Sequence, residues 1–332
     1  YWVSAIGKFI PKSGAECRLI SELEKHTKII SSFYSLNLQK VKKTLMKISI
    51  SSLRTTLLAS SIILLSPSAF ASALEEKVNF FEKQGWRVGV TVLDTKSGEH
   101  ESINGDQRFH FNSTIKALAC ANVLEKVDKG QLTLNDSFIL KESDIVTHSP
   151  VAEKLVGKRF TLGDACEATL TYSDNTGANY AISSVGGPAD LTSFMRSMGD
   201  NVLRSDRYEP ELTKNIEYDI RDTTTTDAMA LSLNKLLLQD VLSTESRAQL
   251  KQWMMGNRVA DDLLRASLPK GWSIADRSGA SDYGVRGIIS MVWSETQHPI
   301  VITMYVRKEG SSIHERDKVI ADIGSVIFGA YQ

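Results

Sequence analysis

The chain has 332 residues, 42% of them hydrophobic and 23% charged, a balance that fits a globular protein with a sizeable core and excludes a disordered or fibrous one. Its 39 basic and 39 acidic side chains cancel unevenly: ten basic and three acidic residues fall in 1–71, so residues 72–332 carry 29 and 36, a net of −7. A body of that charge has no electrostatic reason to bind nucleic acid.

Met46 and Lys47 open a short basic region ending at Arg54, followed by an apolar run over 57–65 and by small residues at Ala69 and Ala71. The run is too short to span a bilayer, and the pattern is that of a secretory signal peptide over 46–71, cleaved after Ala71. Residues 1–45 read as translated upstream sequence, and residues 72–332 as one domain of two lobes. Export permits a disulfide between Cys120 and Cys166, with two reduced, buried thiols as the alternative. No C-x-x-C or H-E-x-x-H spacing accompanies them to suggest a metal.

Helical spacing of Leu74, Val78, Phe80 and Phe81 predicts a first helix over 73–84, and Val88, Val90 and Val92 alternate as a strand over 86–93. A helix is expected from Ser113 to Val127, a polar loop over 132–145, a helix from Thr161 towards Thr171 and another over 189–198. The stretch 201–226 lacks periodicity yet is dense in balanced charge, which predicts an ordered, ion-paired loop. Helices over 228–238 and 244–255 follow, then strands over 272–276, 287–293 and 300–306, and a closing helix over 314–328. Strands at both ends around an all-helical middle imply an α+β fold, one antiparallel sheet flanked by helices with a helical lobe inserted and a groove between the lobes.

Four polar clusters stand out along this frame. Ser113 and Lys116 lie three apart at the start of a predicted helix, so the hydroxyl and the amine can meet on one face, the amine serving as the base a serine nucleophile needs. The same spacing recurs at Ser232/Lys235 and Ser267/Lys270; the company of the first copy distinguishes it. Ser173, Asp174 and Asn175 place a hydroxyl and an amide at a loop tip, Glu209 places a carboxylate in the charged loop, and Arg277, Ser278 and Gly279 put a cation and a hydroxyl at a strand end.

In this order and spacing the four clusters resemble the signature of class A serine β-lactamases, over essentially all of residues 74–328. Arg277, where most of that family has lysine, points to its carbenicillin-hydrolysing subgroup. The resemblance implies that Ser113 attacks the lactam carbonyl, that the backbone N–H groups of Ser113 and Ala280 hold the oxyanion, and that Glu209 drives the water that releases product. It further implies that Ser173 passes a proton to the lactam nitrogen, that Asn175 binds the substrate amide, and that Arg277, Ser278 and Arg286 bind the drug carboxylate. Lys116 or Glu209 takes the Ser113 proton. An Arg207–Asp222 ion pair would close the loop, and Cys120 and Cys166 match the family's disulfide. No cofactor and no obligate oligomer are implied.

Three positions depart from the family pattern: Thr213 where an asparagine usually shares the hydrolytic water, His148 where an aromatic gate lines the groove, and Ser281 after Ala280 where glycine is common. A penicillin-binding peptidase or sensor shares the serine, the lysine and the strand-end cation but stalls at the acyl-enzyme. Glu209 argues against it, because a stalled acylator has no use for a carboxylate that drives hydrolysis.

Overall fold

A computed structural model describes residues 67–332 apart from 215 and 217. The expected upstream sequence and all but the last few residues of the expected signal peptide lie outside the described residues. Helix α1 (Pro67–Glu82) leads into strands β1 (Arg87–Asp94), β2 (His100–Ile103) and the short β3 (Phe109–His110). A 3-10 turn at Asn112–Thr114 opens α2 (Ile115–Asp128). Strands β4 (Ser137–Ile139) and β5 (Arg159–Thr161) pair ahead of α3 (Leu162–Tyr172), α4 (Asn175–Ser184) and α5 (Pro188–Ser197). The charged loop ends at β6 (Thr223–Thr224), and α6 (Thr226–Leu238), α7 (Thr244–Met255) and the one-turn α8 (Leu264–Ser267) follow. Strands β7 (Ser273–Ala280), β8 (Val285–Trp293) and β9 (Ile300–Arg307) and helix α9 (Ile313–Ala330) complete the chain.

The five long strands form one antiparallel sheet in the order β2-β1-β9-β8-β7, built from both ends of the domain as the sequence pattern predicts. On one face Val88, Val90, Val92, Ile302 and Met304 pack with Leu74, Val78, Ile320 and Ile323 of the first and last helices. On the other, Ile289, Met291, Val301 and Tyr305 join the core of the helical lobe. Because both faces are covered, β8 and β9 are buried along almost their whole length and are mostly apolar, interrupted by Arg286 and Ser290 in β8 and by Thr303 in β9. Every residue of α2 from Ile115 to Leu124 is buried, so this helix is the axle of the lobe, and the polar Lys116 and Asn122 are carried inside with it.

Several elements differ from expectation, among them the stretch 132–145, expected as a polar loop, in which β4 pairs with β5. Helix α1 begins at Pro67, ahead of the expected mature start, and Phe70 packs edge-on against Tyr331 with ring centroids 5.9 Å apart. Residues 175–184, which offer little apolar periodicity, are helical because the Asp174 carboxylate caps Gly177 N at 2.9 Å, and because Gly177 lets α4 press close against α3. Ser173–Asn175 is therefore a tight joint between two helices rather than a loop tip. Strand β7 runs four residues further than predicted, paired as far as Ala280 opposite Arg286, so the Arg277 cluster lies inside the strand.

Cys120 of α2 and Cys166 of α3 are joined by a buried disulfide with Cα atoms 5.6 Å apart, spanning 46 residues. In the chain-entropy account a loop of that length confers about 4 kcal/mol. The double variant Cys120→Ala/Cys166→Ala is expected to lose about that much unfolding free energy in denaturant melts, with a correspondingly lower midpoint, while keeping the native circular dichroism spectrum.

Candidate active site

Ser113 sits in the middle of the 3-10 turn, not within α2, and Asn112 immediately before it adopts the left-handed conformation with φ of 48°. That sharp entry lifts the Ser113 hydroxyl into the groove. The turn is anchored on both sides: Phe111 N donates to Asp222 O at 3.1 Å, and Arg277 Nε donates to Ser113 O at 3.2 Å.

No direct hydrogen bond joins Ser113 to Lys116, contrary to the simple same-face expectation, because the turn ahead of α2 displaces the serine. Ser173 bridges them instead, its Oγ 3.2 Å from Ser113 Oγ and 3.2 Å from Lys116 Nζ. The same ammonium donates to Ser173 O at 2.8 Å and to Asn175 Oδ1 at 2.5 Å, and lies 3.2 Å from Glu209 Oε1. The Lys116 and Glu209 side chains are fully buried. Apart from that ion pair, neither Glu209 oxygen has an aligned hydrogen-bond donor. Such a carboxylate is poised to hold a polar molecule brought beside it.

Glu209 is itself clamped by a residue that no motif announces. Asn179, one turn beyond Asn175 on α4, accepts from Glu209 N and donates to Glu209 O, both at 2.9 Å. The Glu209–Pro210 peptide bond is cis. At the neck of the loop Arg207 pairs with Asp222, as expected, and Asp222 Oδ1 also accepts from Asp206 N at 2.8 Å and Arg207 N at 3.1 Å.

A groove of about 670 Å³ runs past Ser113 between the lobes. One wall is β7, the edge strand of the sheet, with Ser278, Gly279 and Ala280 presenting the backbone groups that an edge leaves unpaired. Ser173, Asn175, Thr147 and His148 form the opposite wall, and Pro210 and Thr213 line it as well. Asn175 is held by its N–H on His148 O at 3.0 Å and by Nδ2 on Thr147 O at 2.8 Å. Arg277, Arg286 and Arg316 make the groove cationic. Arg286 pairs with Asp317 at 2.6 Å, Arg316 binds the carbonyls of Ser281 and Val285, and Arg277 keeps a buried Nη2 without a partner. Among the described residues no cluster of side chains could hold a metal ion, and no helix is long and apolar enough to cross a membrane.

A family model described as the β-lactamase enzyme family matches residues 71–331. The β-lactamases CARB-3 and PSE-4 of Pseudomonas aeruginosa are each 46% identical to this chain over 277 residues, 83% of it and 96% of their own length. The crystal structure of the chromosome-encoded β-lactamase of Vibrio parahaemolyticus is 46% identical with a TM-score of 0.76, covering 78% of this chain and 99% of that one. The class A β-lactamase of the last common ancestor of Gram-negative bacteria is 42% identical with a TM-score of 0.77, over 79% and 100%. This chain belongs to the class A β-lactamases.

In this β-lactamase the site's charges are bent by burial. The Lys116 ammonium is pulled down to about 8 by its removal from water, against the opposing pull of the Glu209 carboxylate, so a neutral amine is within reach near physiological pH. Burial also lowers Arg277, to about 9, and its guanidinium remains a cation at neutral pH. The three departures from the family pattern all sit at the groove. Thr213 Oγ1 is engaged by Pro210 O at 2.7 Å, His148 is exposed in a left-handed conformation, and Ser281 Oγ is buried without a partner. Sequence reasoning missed Asn179, Thr147, Asn257 and Arg316. Asn257 accepts from Arg277 Nη1 at 3.3 Å, and its spacing from Arg277 carried no signal.

His110, three residues before Ser113 on β3, is buried with its Nε2 unpartnered. Burial holds it down to about 4, with Arg307 adding to the fall and Asp219 opposing it. Below the ordinary histidine value near 6.5 the unfolded chain therefore takes up a proton that the folded chain refuses, and stability falls as pH drops from about 6.5 to about 4. Urea melts should show His110→Leu losing roughly 2 kcal/mol less than the parent over that window.

Proposed function

We propose that this protein opens the β-lactam ring of penicillins, carbenicillin among them, through an acyl-enzyme on Ser113, and so confers antibiotic resistance. The observation that carries the reading is the buried Glu209 carboxylate, in contact with Lys116 and with neither oxygen matched by an aligned donor. A protein that acylates and stalls has no need of such a group.

Attack by Ser113 Oγ on the lactam carbonyl sends the serine proton into the Lys116–Glu209 pair, and the backbone N–H groups of Ser113 and Ala280 receive the negative charge on the carbonyl oxygen. The carbon–nitrogen bond then breaks, and Ser173 hands a proton to the nitrogen as Lys116 restores it. Glu209 next takes a proton from water, the hydroxide attacks the ester, and Ser113 leaves with a returned proton. Asn175 binds the substrate's side-chain amide. The substrate carboxylate lies against Arg277, Ser278, Gly279 and Arg286, and His148 borders the mouth.

The guanidinium of Arg277 supports the carbenicillin assignment, since Ser113 O and Asn257 Oδ1 hold its Nε and Nη1 and leave Nη2 as a fixed, directed donor for a carboxylate where an ammonium is a point charge. Residues 46–71 acting as an export signal, a catalytic domain over 72–332, release to the periplasm and action as a monomer belong to the same proposal.

Glu209→Ala should trap penicillin on Ser113 as a stable adduct seen by mass spectrometry, with steady-state turnover lost by roughly 1,000-fold or more. Parental turnover in that variant would remove Glu209 from the mechanism. Arg277→Lys keeps the charge and should hydrolyse benzylpenicillin within a few-fold of the parent while its kcat/KM on carbenicillin drops roughly tenfold. Equal losses on both substrates would detach Arg277 from the carbenicillin preference.

A further inference from the structure

Four residues stand abreast across the sheet on the face that meets the helical lobe. Gly89 of β1 lies opposite Tyr305 of β9, Tyr305 opposite Gly287 of β8, and Gly287 opposite Gly279 of β7. Directly opposed residues of antiparallel strands project from the same face, so three absent side chains leave a trough with a single phenol in it.

The trough is filled by the segment that carries the nucleophile. A Cβ on Gly89 would come 2.6 Å from the Phe109 ring, and one on Gly287 would overlap the Tyr305 ring. One on Gly279 would come within 2.8 Å of both Phe111 O and Ser113 N. The Phe109 ring stacks on Tyr305 with centroids 5.9 Å apart.

Tyr305 is wholly buried, and its hydroxyl lies 2.8 Å from Thr114 Oγ1, which lies 2.7 Å from Phe111 O. A carbonyl only accepts, so Thr114 donates to Phe111 and Tyr305 donates to Thr114. The two hydroxyls thus form a directed chain from the middle of the sheet to the turn that holds Ser113. Neither lines the groove, so neither touches substrate.

We propose that Tyr305 is a positioning residue for the nucleophile: its hydroxyl, acting through Thr114, seats the Phe111–Thr114 turn in the glycine trough and so aims the Ser113 backbone N–H at the oxyanion. The inference rests on the reading of Ser113 as nucleophile given above. Removing the phenolic oxygen leaves the ring packed between the glycines but frees one side of the turn. Oxyanion stabilisation depends on donor placement to a fraction of an ångström, whereas ground-state binding is carried by Asn175, Ser278 and Arg286.

The test compares Tyr305→Phe, Thr114→Val, their double variant and Thr114→Ser, with each concentration corrected for the folded fraction by thermal melting. Tyr305→Phe should lower kcat on benzylpenicillin about tenfold with KM within about twofold. Affinity for phenylboronic acid, whose boron takes the serine oxygen to form a tetrahedral adduct, should fall in proportion. Thr114→Val should behave alike, the double variant should be no worse than the worse single one, and Thr114→Ser should match the parent. A Tyr305→Phe protein that melts earlier yet keeps parental kcat and boronate affinity per folded molecule would overturn the proposal, as would additive losses in the double variant. Mass mapping of the penicillin adduct in the parent tests the other reading separately: an adduct absent from Ser113 refutes the nucleophile, whatever Tyr305→Phe does.

Discussion

Lys116 holds an ammonium group out of reach of water, and a cation so placed is tolerable only when enough oxygen surrounds it. The oxygens come from two places far apart in the chain: Ser173 and Asn175 at the joint of α3 and α4, and Glu209 in the loop before α6. Satisfying that one charge therefore draws together the groups to which the proposed mechanism assigns the chemistry. The same burial that makes the lysine demanding lowers its proton affinity.

The loop that supplies Glu209 sinks Leu203 and Leu212 into the core of the helical lobe and is held besides by polar contacts at two points. Asn179 grips the Glu209 backbone from α4, while Asp222 closes the neck through Arg207 and the backbone N–H groups of Asp206 and Arg207. Asp222 also accepts from Phe111 N, two residues ahead of Ser113. Loop neck and Ser113 turn are thus fastened to each other as well as to the scaffold. A disturbance at either reaches both Ser113 and Glu209.

On the opposite wall the sheet supplies rigidity and the edge strand supplies reach. Arg277 is fully buried yet does more than present charge, since its Nε holds the Ser113 carbonyl while Nη2 stays free. Gly279 allows that contact, because any side chain there would press on the Ser113 amide. The groove is lined by three guanidiniums and by Asp282, although the domain is net acidic, and Arg286 is offset by its pairing with Asp317.

Much of the architecture was legible from short-range pattern. Alternating valines in β1, apolar runs in β8 and β9 and the spacing in α6 and α7 report burial directly, since each strand or helix must hide one face or both. Helix α4 escaped that reading because a side-chain cap and close packing through Gly177 hold it, and neither leaves an apolar period. The identities of Ser113, Lys116, Ser173, Glu209 and Arg277 were visible as motifs, and so was the pairing of Arg207 with Asp222. Three-dimensional packing alone decided that Ser173 stands between the serine and the lysine, that Asn179 clamps the loop, and that a tyrosine 191 residues beyond Thr114 bonds to it beside Ser113. Local sequence determines which face of an element is apolar and which residues can do chemistry. Contacts across such separations depend on how whole elements settle against one another, and no local periodicity encodes that.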